Sequence, residues 1–375
     1  MALALKQINP AVMPVYPITP QTPIIESFAK YQAERSVDTE IIIVESEHSA
    51  ISAAVGASAA GARTVTATSS QGLALMNEIL YIASGMRLPI LMAVSARALS
   101  APLNIHNDHS DVMGARDAGW VQLFSENVQE AYDNILIGLK LAEMSRTPVM
   151  VIMDGFITSH SFENLNPLSD EEVKKFVGEY NPEKFLLDVD NPVVFGTMAL
   201  PPHYFDFKVD QDKAMRQSFD DYKKITEEFS KLSNRSYSSY ESYELDDADQ
   251  VVVVAGSTAG TAKDVVDKLR KEGKKVGLLK IKLFRPFPTE EVKNALFKAK
   301  NIAVLDKAMS FGTKPPLYSE IVNSLWNLQP TTYNLQSYIY GLGGRDIFQS
   351  DIEKVFEDLI SGDVSDEIKY IGIKK

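Results

Sequence analysis

The sequence predicts an α/β protein built as two successive doubly wound units, and three observations carry that prediction. Short apolar runs alternate with stretches of helical length and pattern between residues 40 and 154, as parallel strands joined by crossover helices require. The alternation breaks from about Pro192 to Gln250 and resumes beyond it. With 375 residues and 45% hydrophobic content, the chain is long enough to bury a large core in more than one domain.

The first feature is "VYPITPQTP" (15–23), with three of the 18 prolines in nine residues. Proline fixes φ and removes a backbone donor, so this stretch reads as a stiff loop holding Tyr16, Thr19 and Thr22, neither helix interior nor central strand. "EIIIVES" (40–46), "RTVTATS" (63–69), "LPILMAVSA" (88–96) and "TPVMVIMD" (147–154) read as buried parallel strands, with helices over 48–62, 71–86 and 126–145 between them. Residues 190–207 resemble a loop, and 212–234 an amphipathic, charged connector helix. The second alternation comprises "VVVVAGS", a helix, the run "KKVGLLKIKLF" (274–284), a second helix and "NIAVLDK" (301–307). The expected division is 1–235 and 236–375.

Composition narrows the function. A net charge of -12 repels phosphate backbones and anionic bilayers, so neither nucleic acid nor membrane is an expected partner. The chain contains no cysteine, which excludes thiolate nucleophiles and cysteine-ligated iron-sulfur clusters from it. "MALALKQINP" lacks a basic n-region and the apolar runs are too short to span a bilayer, which predicts a cytoplasmic protein.

Polar residues recur where strands end, which is where open α/β sheets bind their ligands. Glu45 and Glu47 close the strand at 40–46 and precede a helix of very small residues. One of them can serve a ligand, or both can be a solvated loop residue and a helix-N-terminal charge. Thr68, Ser69, Ser70, Gln71 and Gly72 form a polar cup that suits N-capping or a ligand. Arg97 follows the strand at 88–96, a position from which arginine clamps carboxylate or phosphate. His106, Asp108, His109 and Asp111 contain ligating side chains but lack the i, i+4 spacing of a helical metal site, and a hydrogen-bonded loop satisfies them equally, so no metal site is expected. "AGSTAGTAKDVV" (255–266) is a glycine turn without the GxGxxG spacing, and "YGLGGRDI" (340–347) is another, with Arg345 and Asp346 free to pair.

Taken in order, "YPITP", "SEHSA", "TATSSQGL", "ARALSAPLNIHNDHSDVMGARDAGW", "KIKLFRPFP" and "YGLGGRD" resemble the alpha subunit of the 2-oxoacid:ferredoxin oxidoreductases that act on pyruvate. The resemblance covers nearly the whole chain. It implies a thiamine-diphosphate-binding fold, a pyrimidine-type doubly wound domain followed by a transketolase C-terminal-like α/β domain. It also implies oxidation of pyruvate with CoA to acetyl-CoA and CO2 and reduction of ferredoxin, in a reversible reaction. Glu47 matches the family's glutamate at the aminopyrimidine, with Glu45 as the competing position. Thr19 and Arg97 match the residues that hold the substrate's oxygens and carboxylate. Ser69, Ser70, Gln71 and Gly72 fall at the cofactor, and Asn107, Asp108 and His109 in the substrate loop. His106 stands where a pyruvate enzyme is expected to have an apolar or aromatic residue. The sequence contains no GDG motif, so the resemblance implies a separate beta subunit that supplies Mg²⁺ and diphosphate binding. It further implies gamma and delta subunits, with [4Fe-4S] clusters on partner subunits only. Relatives acting on 2-oxoisovalerate, 2-oxoglutarate or oxalate share this chemistry. A lipoamide-linked dehydrogenase beta chain shares the C-terminal fold but not "YPITP" or "NDHSD", and a catalytically silent interaction subunit is the remaining alternative.

Overall fold

The structure, a computed structural model, describes residues 1–326 and 333–373. The first half runs helix Ala2–Ile8, β1 (Val12–Val15), helix Thr22–Ala33, β2 (Glu40–Ile43), helix Glu47–Ala59, β3 (Thr64–Thr68), helices Ser70–Leu75 and Asn77–Gly85, β4 (Ile90–Ala96), helix Ser110–Gly114, β5 (Val121–Ser125), helix Val128–Ser145 and β6 (Val149–Asp154). Helices Asp170–Val177 and His203–Ser233 lead to the second half. That half contains β7 (Tyr240–Tyr243), β8 (Gln250–Ala255), helix Thr258–Lys271, β9 (Val276–Ile281), β10 (Leu283–Arg285), helix Thr289–Leu296, β11 (Asn301–Asp306), helix Pro316–Leu325, β12 (Asn334–Ile339), helix Gln349–Ser361 and β13 (Lys369–Tyr370).

These strands form a seven-stranded sheet, order β10-β5-β6-β4-β3-β1-β2, and a six-stranded sheet, order β13-β12-β11-β8-β9-β7. Both are parallel except for β10 on β5 and β7 on β9. In the first sheet the chain moves from β1 to β2 on one side and then to β3 on the other; in the second, from β8 to β9 and then to β11. Each reversal is a topological switch point, whose strand ends diverge and leave a crevice. One apolar cluster, including Val94, Phe124 and Ile152 of the first half with Val253, Leu279, Phe284 and Ile302 of the second, runs through both halves. Among the described residues no helix is long and apolar enough to cross a membrane.

Four local expectations change. The run at 40–46 is not a fully buried strand: β2 is four residues long at the sheet edge, and Ile43 is 78% exposed. The stiff proline loop is shorter than expected, because Val15 closes β1 and Thr22–Pro23 open a helix, where the missing proline N–H costs nothing. Pro14 is tolerated in an inner strand because β1 is in register with β3 at Val12 alone, and its carbonyl accepts a hydrogen bond from the Thr66 hydroxyl at 2.8 Å. The connector helix starts at His203, directly after Pro201 and Pro202, and runs for 31 residues into the span expected to be a loop.

The run 274–284 is two strands in different sheets. The amides of Lys282 and Leu283 both donate to the Ser239 carbonyl, ending the β9 ladder, and the Lys282 carbonyl accepts from Phe124 N–H at 2.7 Å, starting the next. Lysines of this run also bridge the halves. Lys280 lies buried against Glu126 and Glu130, 2.9 Å from the latter, and 2.5 Å from Glu241. Lys282 lies 3.0 Å from Glu130, and Lys263 closes the set at 2.9 Å from Glu126. Burial alone would raise the Glu130 carboxyl; Lys282 and Lys280 outweigh it and hold it down to about 2. Glu126, Glu130 and Glu241 are the one group of three acidic or histidine ligands that converges among the described residues, and lysine ammoniums neutralise it.

Candidate functional site

The carboxyl ends of β1, β2, β3 and β4 lie side by side around the first switch point, and the segments leaving them carry Thr19, Glu47, the Thr68–Gly72 turn and Arg97. Glu47 is the first residue of its helix, with Ser46 as N-cap accepting from Ser49 N–H at 3.2 Å. The cap pins the helix start, and the helix N-terminus favours a negative charge there. Glu47 is 7% exposed, whereas Glu45 is exposed and accepts from the Ser49 hydroxyl. The strand ends at Ile43, so the two glutamates do not share a strand face; Glu45 faces solvent and Glu47 the interior.

Beneath Glu47 lies Gly72. A Cβ on Gly72 would stand 2.5 Å from Thr68 Oγ1 and 2.7 Å from Glu47 Oε1, so any side chain would displace the carboxylate. The turn carrying Gly72 is held from below. Ser69 donates to the Ser95 carbonyl at 2.7 Å, and the hydroxyl of Ser70, whose φ is +50°, donates to the Ala98 carbonyl and lies 2.6 Å from the side-chain amide of Gln71. Left-handed backbone at a non-glycine residue requires such over-determination. Asp111 supplies the rest: its carboxylate accepts from Ser70 N–H at 2.8 Å, Arg97 N–H at 3.0 Å and Val112 N–H at 2.7 Å. One buried side chain thus ties the Glu47 side of the site to the Arg97 side.

Arg97 donates from Nη1 to the Thr19 carbonyl at 2.8 Å and from Nε to the Asn104 carbonyl at 3.1 Å. The expected pair is therefore brought together, with Thr19 on the exposed rim and Arg97 buried. Gln21 anchors the other end of the Thr19 loop through Nε2 to the Ala67 carbonyl at 2.9 Å.

Asn107, Asp108 and His109 are buried; the first two meet the second half through their side chains, His109 through its backbone N–H, which donates to the Lys307 carbonyl at 2.8 Å. Asn107 accepts from Lys307 Nζ at 3.1 Å, Asp108 from Gly343 N–H at 3.2 Å, and His109 Nε2 lies 2.7 Å from Asp154 Oδ1. Gly344, at φ +78°, has no room for a side chain, since its Cβ would meet His106 Cβ at 2.3 Å. The "YGLGG" turn is thus the seat of the loop that carries Asn104 to Asp108. Arg345 bonds the Gly372 carbonyl at 2.7 Å. His106 is exposed and packs against Phe156, ring centroids 4.9 Å apart and planes tilted by 38°. His106, Asp108, His109 and Asp111 have separate partners and do not converge on one point.

Asp154 fills the switch point of the second sheet. It accepts from Lys307 Nζ at 2.7 Å, Ser257 Oγ at 2.6 Å and Ser257 N–H at 3.1 Å. Gly256, at φ +77°, leaves it room, for a Cβ there would lie 2.9 Å from Oδ1. Burial alone would raise this carboxyl; Lys307 and His109 outweigh it and hold it well below the usual carboxylate range. The turn at 255–266 is therefore a cradle for a carboxylate of the same chain. Sequence reasoning missed Asp154 and Lys307, because no spacing pattern joins positions 154, 257 and 307. It also missed the clamping role of Asp111.

A cavity of about 800 Å³, lined among others by Arg87, Leu88, Glu143, Tyr180 and Phe195, opens at the amino end of β4, the opposite end of the sheet from Arg97. It shares no residue with this site.

Asp111 yields a pH prediction. Burial pushes its carboxyl up to about 7 despite three backbone donors. A carboxyl raised above its unfolded value of about 4 contributes stability that is fully present below that pH and is lost as pH rises through about 7. The thermal midpoint of Asp111→Asn is therefore expected to fall less than that of the unaltered chain between pH about 4 and about 7. Asp306, raised to about 7 by burial, leaves part of the slope in place. Parallel curves would contradict the assignment.

In overall shape the chain is similar to a 2-oxoglutarate:ferredoxin oxidoreductase from Magnetococcus marinus, at TM-score 0.71 and 20% identity over 96% of this chain and 64% of that one. It is also similar to a split-gene transketolase, at TM-score 0.57 and 11% identity over 96% and 95% of the two chains. Fold and site thus define an α/β protein of the thiamine-diphosphate-binding type. Residues 3–229 match the family described as pyruvate flavodoxin/ferredoxin oxidoreductase, thiamine diP-bdg, and 248–352 match pyruvate:ferredoxin oxidoreductase core domain II. Proteins named pyruvate synthase subunit PorA from Thermotoga maritima and Methanocaldococcus jannaschii are 51% and 46% identical to it, over all of this chain and 96% of each of theirs. The chain belongs to the pyruvate flavodoxin/ferredoxin oxidoreductase family.

The residues present suit the pyrimidine half of thiamine diphosphate. Glu47 offers a buried carboxylate, Thr68 Oγ1 is a buried hydroxyl without a partner among the described residues, and Gly72 keeps clear the space that a Cβ would fill. A carboxylate and a hydroxyl beside an open space match the donors and acceptors on the edge of such a heterocycle.

Proposed function

We propose that this chain is the alpha-type subunit of a thiamine-diphosphate-dependent pyruvate:ferredoxin oxidoreductase. The reaction joins pyruvate and CoA to give acetyl-CoA and CO2, passes the electrons to ferredoxin, and is reversible. The observation that carries this reading is the buried carboxylate of Glu47 above Gly72, without a side-chain hydrogen bond among the described residues, on the same sheet end where Arg97 meets Thr19. Identity of 51% along the whole chain to a pyruvate synthase subunit supports pyruvate as the substrate.

Bound thiamine diphosphate supplies the carbon nucleophile that makes decarboxylation of a 2-oxoacid possible. Glu47 holds and returns a proton at the pyrimidine N1′. Arg97 pairs with the substrate carboxylate, and the Thr19 hydroxyl bonds its oxygens on a loop stiffened by Pro17 and Pro20. Ser69, Ser70, Gln71 and Gly72 shape the cofactor side. Asn107, Asp108 and His109 set the substrate loop against the second half, so their effect on substrate runs through Arg97 and Asn104. The working division is 1–235 and 236–375, the second part serving as the seat for that loop.

A beta subunit would hold Mg²⁺ and the diphosphate, gamma and delta subunits would carry [4Fe-4S] clusters on their own cysteines, and the assembly would work in the cytoplasm. Exposed Ile42, Ile43, Leu75, Tyr81 and Ile82, on β2 and the helices beside Glu47, support a large apolar interface at this edge.

The test is reduction of ferredoxin or a viologen dye by the purified complex with pyruvate and CoA. Dependence on a lipoyl protein instead would overturn the reading. Arg97→Lys is expected to raise KM for pyruvate roughly 10- to 100-fold, the size of one lost charge-assisted hydrogen bond; an unchanged KM would release Arg97 from the substrate.

A further inference from the structure

Strand β3 turns Thr64, Thr66 and Thr68 to one face. Thr64 Oγ1 donates to the Ala62 carbonyl at 3.0 Å and Thr66 Oγ1 to the Pro14 carbonyl at 2.8 Å. Thr68, with no exposure, has no partner for its hydroxyl among the described residues. Protein interiors pair nearly all such groups, and an exception at a site calls for a reason. A neighbouring carboxylate supplies one. Thr68 Oγ1 and Glu47 Oε1 both crowd the point where a Gly72 Cβ would stand, at 2.5 and 2.7 Å. Glu47 likewise has no side-chain hydrogen bond among the described residues, so two unpartnered oxygens, one able to donate and one only to accept when ionised, face the same gap.

We propose that Thr68 becomes the positioning residue of Glu47 once the cofactor is bound, its hydroxyl, unpaired until then, donating to one carboxylate oxygen while the other meets the pyrimidine nitrogen. This rests on the assignment of Glu47 given above. A carboxylate at the head of a helix retains χ freedom, and a proton moves efficiently only along a held direction. Among the described residues, Ser46 and Ser49 cap the helix but do not bond the carboxylate of Glu47; Thr68 comes from the sheet and meets the same point beside Gly72. The hydroxyl touches neither substrate nor reacting carbon and acts only through the glutamate.

The experiment compares Thr68→Val, which keeps the shape and removes the hydroxyl, with Thr68→Ser, which keeps the hydroxyl, in the assembled complex. Three quantities are read: affinity of the thiamine-free complex for thiamine diphosphate by calorimetry, exchange of the C2 proton of bound thiamine with D2O by quench and NMR, and the thermal midpoint without thiamine. Thr68→Val is expected to lose about tenfold in affinity and in exchange rate, the size of one hydrogen bond. Its thermal midpoint should hold or rise, because an unpaired buried hydroxyl has been removed, and Thr68→Ser should restore both losses. Wild-type exchange and affinity in Thr68→Val would overturn the proposal, as would a lowered midpoint with equal losses in Thr68→Ser, the mark of a packing role. Glu47→Gln is run alongside. Unaltered exchange in that variant overturns the Glu47 assignment itself, whereas lost exchange there with normal exchange in Thr68→Val overturns only the Thr68 inference.

Discussion

Glu47→Gln is expected to lower pyruvate-dependent dye reduction by roughly 10²- to 10⁴-fold, the contribution of one positioned acid–base group, while the complex stays assembled. Glutamine has the shape of glutamate, and the helix start depends on Ser46 and its bond to Ser49 N–H, so the fold has no reason to respond. What changes is the ability, proposed above for Glu47, to take up and release a proton at the heterocycle. Size exclusion of the complex and the steady-state rate check the two halves of the statement. An unchanged rate would remove Glu47 from the mechanism.

Asp154→Ala is expected to give the largest loss of stability, about 3–5 kcal/mol, the consequence of leaving one partner of a buried ion pair alone. Lys307 and Asp154 are 3% and 0% exposed at 2.7 Å, so the lost carboxylate leaves a buried ammonium without its charge partner. The loss is read from chemical denaturation, with Lys307→Met added in the same background. The double variant should recover part of it, since both charges are then gone; no recovery would mean that Lys307 finds another partner. In the unaltered protein the Asp154 carboxyl is held below its unfolded value. Its stabilisation is therefore present above pH about 4 and is lost only as pH falls through the depressed folded value. Acid alone should thus weaken the seam between the halves at a far lower pH than it titrates an ordinary surface carboxylate.

The two-sheet plan was legible because buried parallel strands are continuous apolar runs and their crossover helices have a different period. β3, β4, β6, β8 and β11 lie where the sequence puts them. β2 misled because "EIII" has the composition of an inner strand while standing at an edge; composition reports apolarity, not what covers it. The run 274–284 misled for a related reason, since nothing in "LLKIKLF" marks the point at which the chain leaves one sheet for another. β5 and β7 were not seen at all; "VQLFS" and "YESY" are too short and mixed to stand out. At the site, Thr19, Glu47, Gly72 and Arg97 were legible because each follows a strand end, and the fold gathers strand ends. Asp111 and Asp154 were not. Their roles come from pairing across 41 residues to Ser70 and 153 residues to Lys307, and such pairings leave no local trace.

Strand β10 has a consequence for how the molecule can be made and divided. It belongs by sequence to the second half yet completes the first sheet by pairing with β5. A ribosome that has released only the first half has produced a sheet with the β5 edge bare, its N–H and C=O groups open to any passing strand. The first half alone is therefore expected to be a sticky fragment, recovered in soluble form only when residues through Arg285 are retained. Synthesis of the chain and closure of its first sheet are in this way coupled in time, and the natural place to cut the gene is not the natural place to cut the fold.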